Sequence, residues 1–327
     1  MSSDCKVSVH IVTYNQARFV GQTLDSVLMQ QVPWKYEIVI GDDCSSDGTS
    51  DILKGYMRRH GELLRPIFRE RNLGPGPNAI DTLERCRGEY IAFLEGDDYW
   101  IDPEKLRLQA EYLDRNPDCA LVHHAVNHIL WPGGTNLGEY PARRFRTTQP
   151  EGRLLAMVNY IQTCSVMFRR ACLPPLDAEF RELKIGDWPL FVLLSQNGWL
   201  GYIDRPMASY RIHETNNWNS RSTTYKSKAM QAMAWYLVDR VKQANRTFWQ
   251  DTLLALAFKD MVLATRETLL SDAFTKLKYF LKLSIRFRKP FWAVTSLWPY
   301  YRANYIGKPK VPSPTKLPKY YPSVAAS

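Results

Sequence analysis

The sequence predicts an α/β protein, a sheet flanked by helices and followed by a mainly helical C-terminal appendage. Three observations predict it. Between residues 7 and 95, short β-branched apolar runs alternate with segments whose apolar residues recur at helical spacing, the pattern of parallel strands joined by crossover helices. Polar residues gather where three of those runs end, and at two of the three they are acidic; such strand ends are where open α/β sheets bind their ligands. The charge balance then changes along the chain: residues 1–220 hold 24 Lys/Arg against 28 Asp/Glu, whereas residues 221–327 hold 19 against 5.

The elements follow in order. VSVHIVT (7–13) is a short β-branched run and reads as a strand. Val20, Leu24, Val27 and Leu28 have helical spacing within 16–30. YEIVIG (36–41) is the second strand, and after the turn-rich CSSDGTS the spacing of Ile52, Leu53 and Tyr56 restores a helix. LRPIFR (64–69) is the third strand, and NLGPGP (72–77) reads as a loop because of its Gly and Pro. Ala79–Cys86 reads as a helix and YIAFLE (90–95) as the fourth strand. The domain division expected is 1–218 for the α/β domain and 219–327 for the helical, basic region, with a loose Pro-rich end at VPSPTKLPKYYPS.

Composition excludes several classes. At 45% hydrophobic and 23% charged, the 327-residue chain is not mainly disordered. No window of about 18 uncharged apolar residues suggests a transmembrane helix. The first residues lack the basic stretch, apolar run and cleavage site of a secretory signal, so a cytoplasmic protein is expected. The six cysteines contain no CxxC pair, which fits reduced, packed thiols rather than a disulfide framework or zinc site. From residue 273 onward there are 11 basic residues and no acidic one, interleaved with bulky apolar side chains. That pattern suits an anionic membrane surface, here the inner face of the cytoplasmic membrane, or else a helical domain with solvated charges. Nucleic acid is not expected, because no recognisable nucleic-acid module accompanies the charge.

The strand ends carry the chemistry. The first ends in Thr13, Tyr14 and Asn15, the second in Asp42 and Asp43, and the fourth in Glu95, Gly96, Asp97 and Asp98. Crowded carboxylates raise one another's pKa unless something neutralises them, and a divalent cation is the simplest neutraliser. There is neither a GxGxxG nor a Walker A motif.

The segments VSVHIVTYNQ, IVIGDDCSSDGTSDIL, NLGPGPN and GEYIAFLEGDDYWIDPEKL, in that order and spacing, resemble the front half of family 2 glycosyltransferases of the GT-A fold, over about residues 6–125. A second block, GDWPLFVLLSQNGWLGYIDRPMASYRIHETNNW (186–218), is similar to that family's acceptor-side segment. The resemblance implies a Rossmann-like, nucleotide-sugar-binding mixed sheet. It also implies inverting transfer of a sugar to a hydroxyl of a glycan or lipid-linked acceptor, in surface-polysaccharide synthesis. Thr13, Tyr14, Asn15, Asp42 and Asp43 would hold the nucleotide, with Asp43 accepting the N3–H of uracil or thymine and so favouring UDP or dTDP over GDP. The competing reading of Asp42-Asp43 is a turn with helix capping. Glu95–Asp98 is similar to the family's metal motif. Asp98 would coordinate Mn²⁺ or Mg²⁺ on the diphosphate, and Asp97 would contact the ribose or the metal. Glu95 stands where many relatives have Asp, which leaves its role open.

The loop corresponding to 74–80 lacks the Arg or Lys of many relatives, and Asn78 is the candidate substitute for binding phosphate. Asp187 resembles the general base, although an Asp two residues before a Pro also reads as a helix start. His213 matches a position that supplies a third metal ligand or a phosphate contact, and Arg211 is placed to pair with the diphosphate. Trp100, Trp188 and Trp218 lie beside these motifs, either stacking on sugar or packing. His123, His124 and His128 read as sheet and loop residues. Two alternatives remain. A sugar nucleotidyltransferase would carry an early Gly-rich basic loop, which VTYNQARF lacks. A non-catalytic nucleotide-sugar-binding module would not need Asp97, Asp98 and Asp187.

Overall fold

The computed structural model describes residues 5–148, 155, 158–215, 221–242, 246, 249–251, 254, 257 and 270–287. β1 (Val7–Thr13), β2 (Tyr36–Asp42), β3 (Leu64–Phe68) and β4 (Tyr90–Glu95) form the parallel part of a nine-stranded sheet, in the order β3-β2-β1-β4. Val7, Val9, Ile11, Ile38, Ile40, Ala92 and Leu94 are all buried, as expected for parallel strands covered on both faces, whose apolar runs are nearly continuous. The crossovers are α1 (Val20–Leu28), α2 (Thr49–His60) and α3 (Pro75–Glu84).

One boundary differs from the sequence reading. α3 begins at Pro75, inside the segment expected to be a loop. The proline ring pre-sets the helical φ, and its missing N–H is one that a first turn leaves unbonded anyway, so Pro opens this helix rather than excluding it. Gly41 on β2 lets α3 approach: a Cβ there would lie 2.1 Å from Thr82 Oγ1 and 2.7 Å from Asn78 Oδ1.

The rest of the sheet is mixed. β5 (Tyr99–Trp100) is followed by α4 (Lys105–Arg115), β6 (Cys119–Leu130), β7 (Thr135–Tyr140), β8 (Met167–Arg169), the short α5 (Ala178–Arg181), α6 (Asp187–Leu194) and β9 (Trp199–Ile212). The order continues β4-β8-β6-β9-β5, with β7 also on β6. β8 runs antiparallel to both β4 and β6, β9 runs parallel to β6, and β5 runs antiparallel to β9. His123, His124 and His128 all lie on β6 and are buried. Burial pushes His123 down to about 3, so it is a neutral part of the core.

Register sets the site. Thr13 pairs with Asp42 across β1 and β2, and Val12 pairs with Glu95 across β1 and β4. The three strands therefore end level, and their polar ends face one space.

This α/β unit closes at His213. A second compact unit takes the described residues from Glu214 onward and is helical. It contains α7 (Thr223–Val238), capped by Ser222 Oγ accepting from Tyr225 N at 3.2 Å, and α8 (Leu270–Phe287). Trp235 Nε1 on α7 donates to the Tyr279 hydroxyl on α8. No helix among the described residues is long and apolar enough to cross a membrane. The Pro-rich end lies outside the described residues.

Candidate active site

The loop after β1 is held by its neighbours. Thr13 Oγ1 donates to Gln16 Oε1 at 2.8 Å, and Asn15, in the left-handed region at φ 52°, bridges the second loop. Its amide donates to Ser45 Oγ and its Oδ1 accepts from Ser46 N, both at 2.9 Å. Tyr14 is 48% exposed, its ring directed away from the core. Gly96, after β4, lies so close that a Cβ would come within 2.3 Å of Gln16 Oε1 and 2.7 Å of Thr13 Oγ1. No other residue fits there without displacing the first loop.

The acidic residues divide by environment. Asp98 is fully buried, and its Oδ1 accepts from Arg211 N at 2.8 Å while its Oδ2 has no hydrogen-bond partner. Burial, then Asp97 and Glu95, push its carboxyl well above the usual range. Glu95, only partly buried, is pushed up to about 8 by desolvation, with Asp97 and Asp187 adding to it. Asp97 keeps its carboxylate at the open end, where Oδ2 lies 3.0 Å from His213 Nε2. His213 in turn lies against Phe19, ring centroids 4.8 Å apart. The antiparallel pairing of β5 with β9, Tyr99 opposite Ser209, brings His213 to Asp97.

Asp187 opens α6 facing this cluster. Its Oδ2 accepts from Asn159 Nδ2 at 3.2 Å and from Thr163 Oγ1 at 3.4 Å. Burial raises its carboxyl above the ordinary value, and the Trp188 amide, Asn159 and Thr163 partly offset this by favouring the ionised form.

Several of the expected residues have structural partners of their own. Asn78 is buried, with Oδ1 accepting from Arg69 Nε and Nδ2 donating to Gly41 O, both at 3.0 Å. It joins α3 to the sheet. Asp42 is buried and caps the second loop, accepting from Ser45 Oγ at 2.5 Å and also from Ser50 Oγ. Arg211 is buried with its guanidinium on the Asp97 carbonyl and Gln22 Oε1 and over the Tyr99 ring at 4.3 Å, so it braces the loop. Trp100 and Trp188 are buried; their Nε1 atoms donate to Cys164 O at 3.0 Å and Leu155 O at 2.6 Å. Both pack in the core and present no face to a sugar. Trp218 lies outside the described residues. Asp98, expected as the metal ligand, is turned inward.

Asp43 serves the scaffold more than its motif suggested. Its two oxygens accept from Leu73 N at 2.7 Å and Gly74 N at 2.9 Å, fixing the loop ahead of α3. A carboxylate has about four acceptor positions, so capacity remains.

Other contributors gave no signal in the sequence. Asn159 and Thr163 come from a loop far from α6 in sequence, and only β8, bonded to β4, carries that loop to Asp187. Tyr210 on β9 is partly buried beside the acids; desolvation and then Asp98 and Glu95 hold its hydroxyl well above the usual range. A Tyr next to an Arg in a strand carries no motif.

Among the described residues no group of three His, Cys, Asp or Glu side chains is arranged to hold a metal ion. The structure instead offers one carboxylate–imidazole pair, Asp97 with His213. Hard divalent cations are commonly held by one or two protein ligands with substrate phosphates and water completing the shell, and these residues fit that donor set.

The family profile described as "Glycosyl transferase family 2" matches residues 8–173. An uncharacterized protein of Mycobacterium tuberculosis is 37% identical over 217 residues, 66% of this chain and 62% of that one. TarS of Staphylococcus aureus, a poly(ribitol-phosphate) beta-N-acetylglucosaminyltransferase, is 31% identical over 191 residues, 58% of this chain and 32% of TarS. The chain thus spans less than two thirds of these relatives. The crystal structure of TarS 1–349 in complex with UDP-GlcNAc matches with a TM-score of 0.64 at 20% identity, over 91% of this chain and 92% of that one. A mannosyltransferase of Pyrobaculum calidifontis in complex with GDP-Man and Mn²⁺ matches at 0.55 and 15% identity, over 90% and 87%. These structural likenesses show the GT-A fold, and the profile match shows that the chain belongs to glycosyl transferase family 2.

Proposed function

We propose that the chain is an inverting glycosyltransferase that moves a sugar from a UDP- or dTDP-sugar to a hydroxyl of a glycan or lipid-linked acceptor in cell-surface polysaccharide synthesis. The observation that carries this reading is the convergence of Glu95, Asp97 and Asp187 at the level ends of the parallel strands, with His213 on Asp97. The names of the TarS protein and its UDP-GlcNAc complex support a uridine donor. We assign residues 1–218 to this activity and 219–327 to the appended region.

The first two loops line the nucleotide end, with Tyr14 exposed for contact with the base, Thr13 and Asn15 shaping the wall, and Asp43 using its remaining acceptor capacity on the N3–H. Asp97 and His213 would hold a Mn²⁺ or Mg²⁺ ion. That ion, when bound, neutralises the charge that develops on the nucleoside diphosphate leaving group. Asp98, which accepts from the Arg211 amide, keeps the Asp97 loop seated on β9. Asp187 takes the proton of the acceptor hydroxyl as that oxygen bonds to the anomeric carbon and the bond to the diphosphate oxygen breaks. One displacement inverts the configuration. Asn159 and Thr163 hold Asp187 Oδ2, which orients the carboxylate and leaves Oδ1 for the acceptor.

Calorimetric titration of UDP, dTDP and GDP, with and without Mn²⁺, tests the reading on the wild type and on Asp97→Ala. UDP or dTDP binding that requires both the metal and Asp97 is expected. A preference for GDP, or binding indifferent to metal and to Asp97, would overturn it.

A further inference from the structure

We propose that the outer face of α8 is a docking surface for an anionic lipid bilayer. Lys278, Leu281, Lys282 and Ile285 recur at i, i+3, i+4 and i+7, so they share one face of the helix. Leu281 is 47% exposed and Ile285 77%, while Lys278 and Lys282 are also exposed. The opposite face is committed to the protein: Phe280 and Leu283 are buried, and Tyr279 accepts from Trp235 Nε1. The helix is therefore held by one side and displays two aliphatic side chains a turn apart on the other.

Single exposed apolar residues are ordinary on protein surfaces. A pair flanked by lysines is a different arrangement, because it matches the depth profile of a membrane interface. Leu281 and Ile285 would enter the acyl boundary, and the lysine stems would lie along it and raise their ammonium groups to the lipid phosphates. The surrounding sequence has the right charge, with eleven Lys/Arg and no Asp/Glu from residue 273 onward, and anionic leaflets attract such segments. A nucleic acid would use the lysines but has no place for two aliphatic side chains. This inference stands on α8 alone and does not depend on the donor-site reading. If both hold, the surface would keep the enzyme beside a lipid-linked acceptor.

The test is co-sedimentation of the full chain with phosphatidylcholine vesicles, with and without phosphatidylglycerol. Leu281→Ser/Ile285→Ser and Lys278→Glu/Lys282→Glu alter exposed positions only, and circular dichroism together with UDP titration confirms that each variant is folded. Wild type is expected to pellet with the anionic vesicles and not with the neutral ones, and each double variant to bind roughly tenfold more weakly or less. Equal binding to both vesicle types, undiminished binding by either variant, or binding of RNA in preference to anionic vesicles would overturn the proposal.

Discussion

Asp97 Oδ2 and His213 Nε2 lie 3.0 Å apart although 116 residues separate them in the sequence. One stands on the loop after β4 and the other just past β9, strands that are not neighbours in the sheet. The link is β5, two residues long, which begins two residues after Asp97 and pairs with β9. In the reading proposed above, this carboxylate and imidazole would hold a divalent cation together with the diphosphate of the donor.

Asp97→Ala and His213→Ala should therefore each remove the metal-dependent part of nucleotide binding. Turnover should fall about 10²–10³-fold, the scale of losing one stabiliser of developing charge. Titration with and without Mn²⁺, alongside a nucleoside diphosphate release assay, measures both effects.

Asp98 should behave differently. Asp98→Asn keeps an oxygen to accept from Arg211 N, so metal-dependent binding should stay within a few-fold of wild type. Asp98→Ala removes the acceptor of that buried amide's hydrogen bond and should cost about 1–3 kcal/mol of stability. Chemical denaturation distinguishes the two, and a loss of metal dependence in Asp98→Asn would return the ligand role to Asp98.

Asp187 should set the acid limb of the kcat/KM profile. Burial raises its carboxyl, so the limb should lie above the ordinary carboxylate range. Asn159→Ala and Thr163→Val each remove a hydrogen bond that favours the ionised form, so both should move the limb to higher pH. Asp187→Asn should lower the rate about 10²–10⁴-fold at every pH. A pH profile of each variant is the measurement.

Lys105 should make stability depend on pH. Its ammonium is fully buried over the Trp100 ring at 3.9 Å and bonded to Gln109 Oε1 at 2.7 Å, and burial brings it down to about 7. Its folded value is thus below its unfolded one, so the unfolded chain binds the proton more tightly. Stability should be highest above the unfolded value near 10, fall as pH drops toward about 7, and level off below it. The ring's attraction for the cation offsets part of the effect. Lys105→Met should flatten this slope and raise stability at neutral pH by about 1–4 kcal/mol, as read by urea denaturation at pH 7 and pH 10.

The sequence by itself determined the four parallel strands, their crossover helices, and the acidic strand ends at which the site forms. These are short-range matters. Residue spacing, β-branching and Gly/Pro punctuation act within a turn or a strand, and the parallel sheet follows from their alternation. Only the tertiary structure decided which of the polar residues face the open end. Asp97 and Asp98 are adjacent and chemically identical, yet the β5–β9 pairing turns one toward His213 and buries the other under the Arg211 amide. Asn78 and Arg211 carry groups suited to a phosphate, and the fold gives them partners within the protein, Arg69 and Gly41 for one and Gln22 and Tyr99 for the other. Trp100 and Trp188 resemble sugar-stacking residues by position, and the packing of the mixed half of the sheet makes them core. A side chain's role at such a site depends on which polar groups its neighbours leave unsatisfied. Those neighbours come from strands whose order no local pattern records.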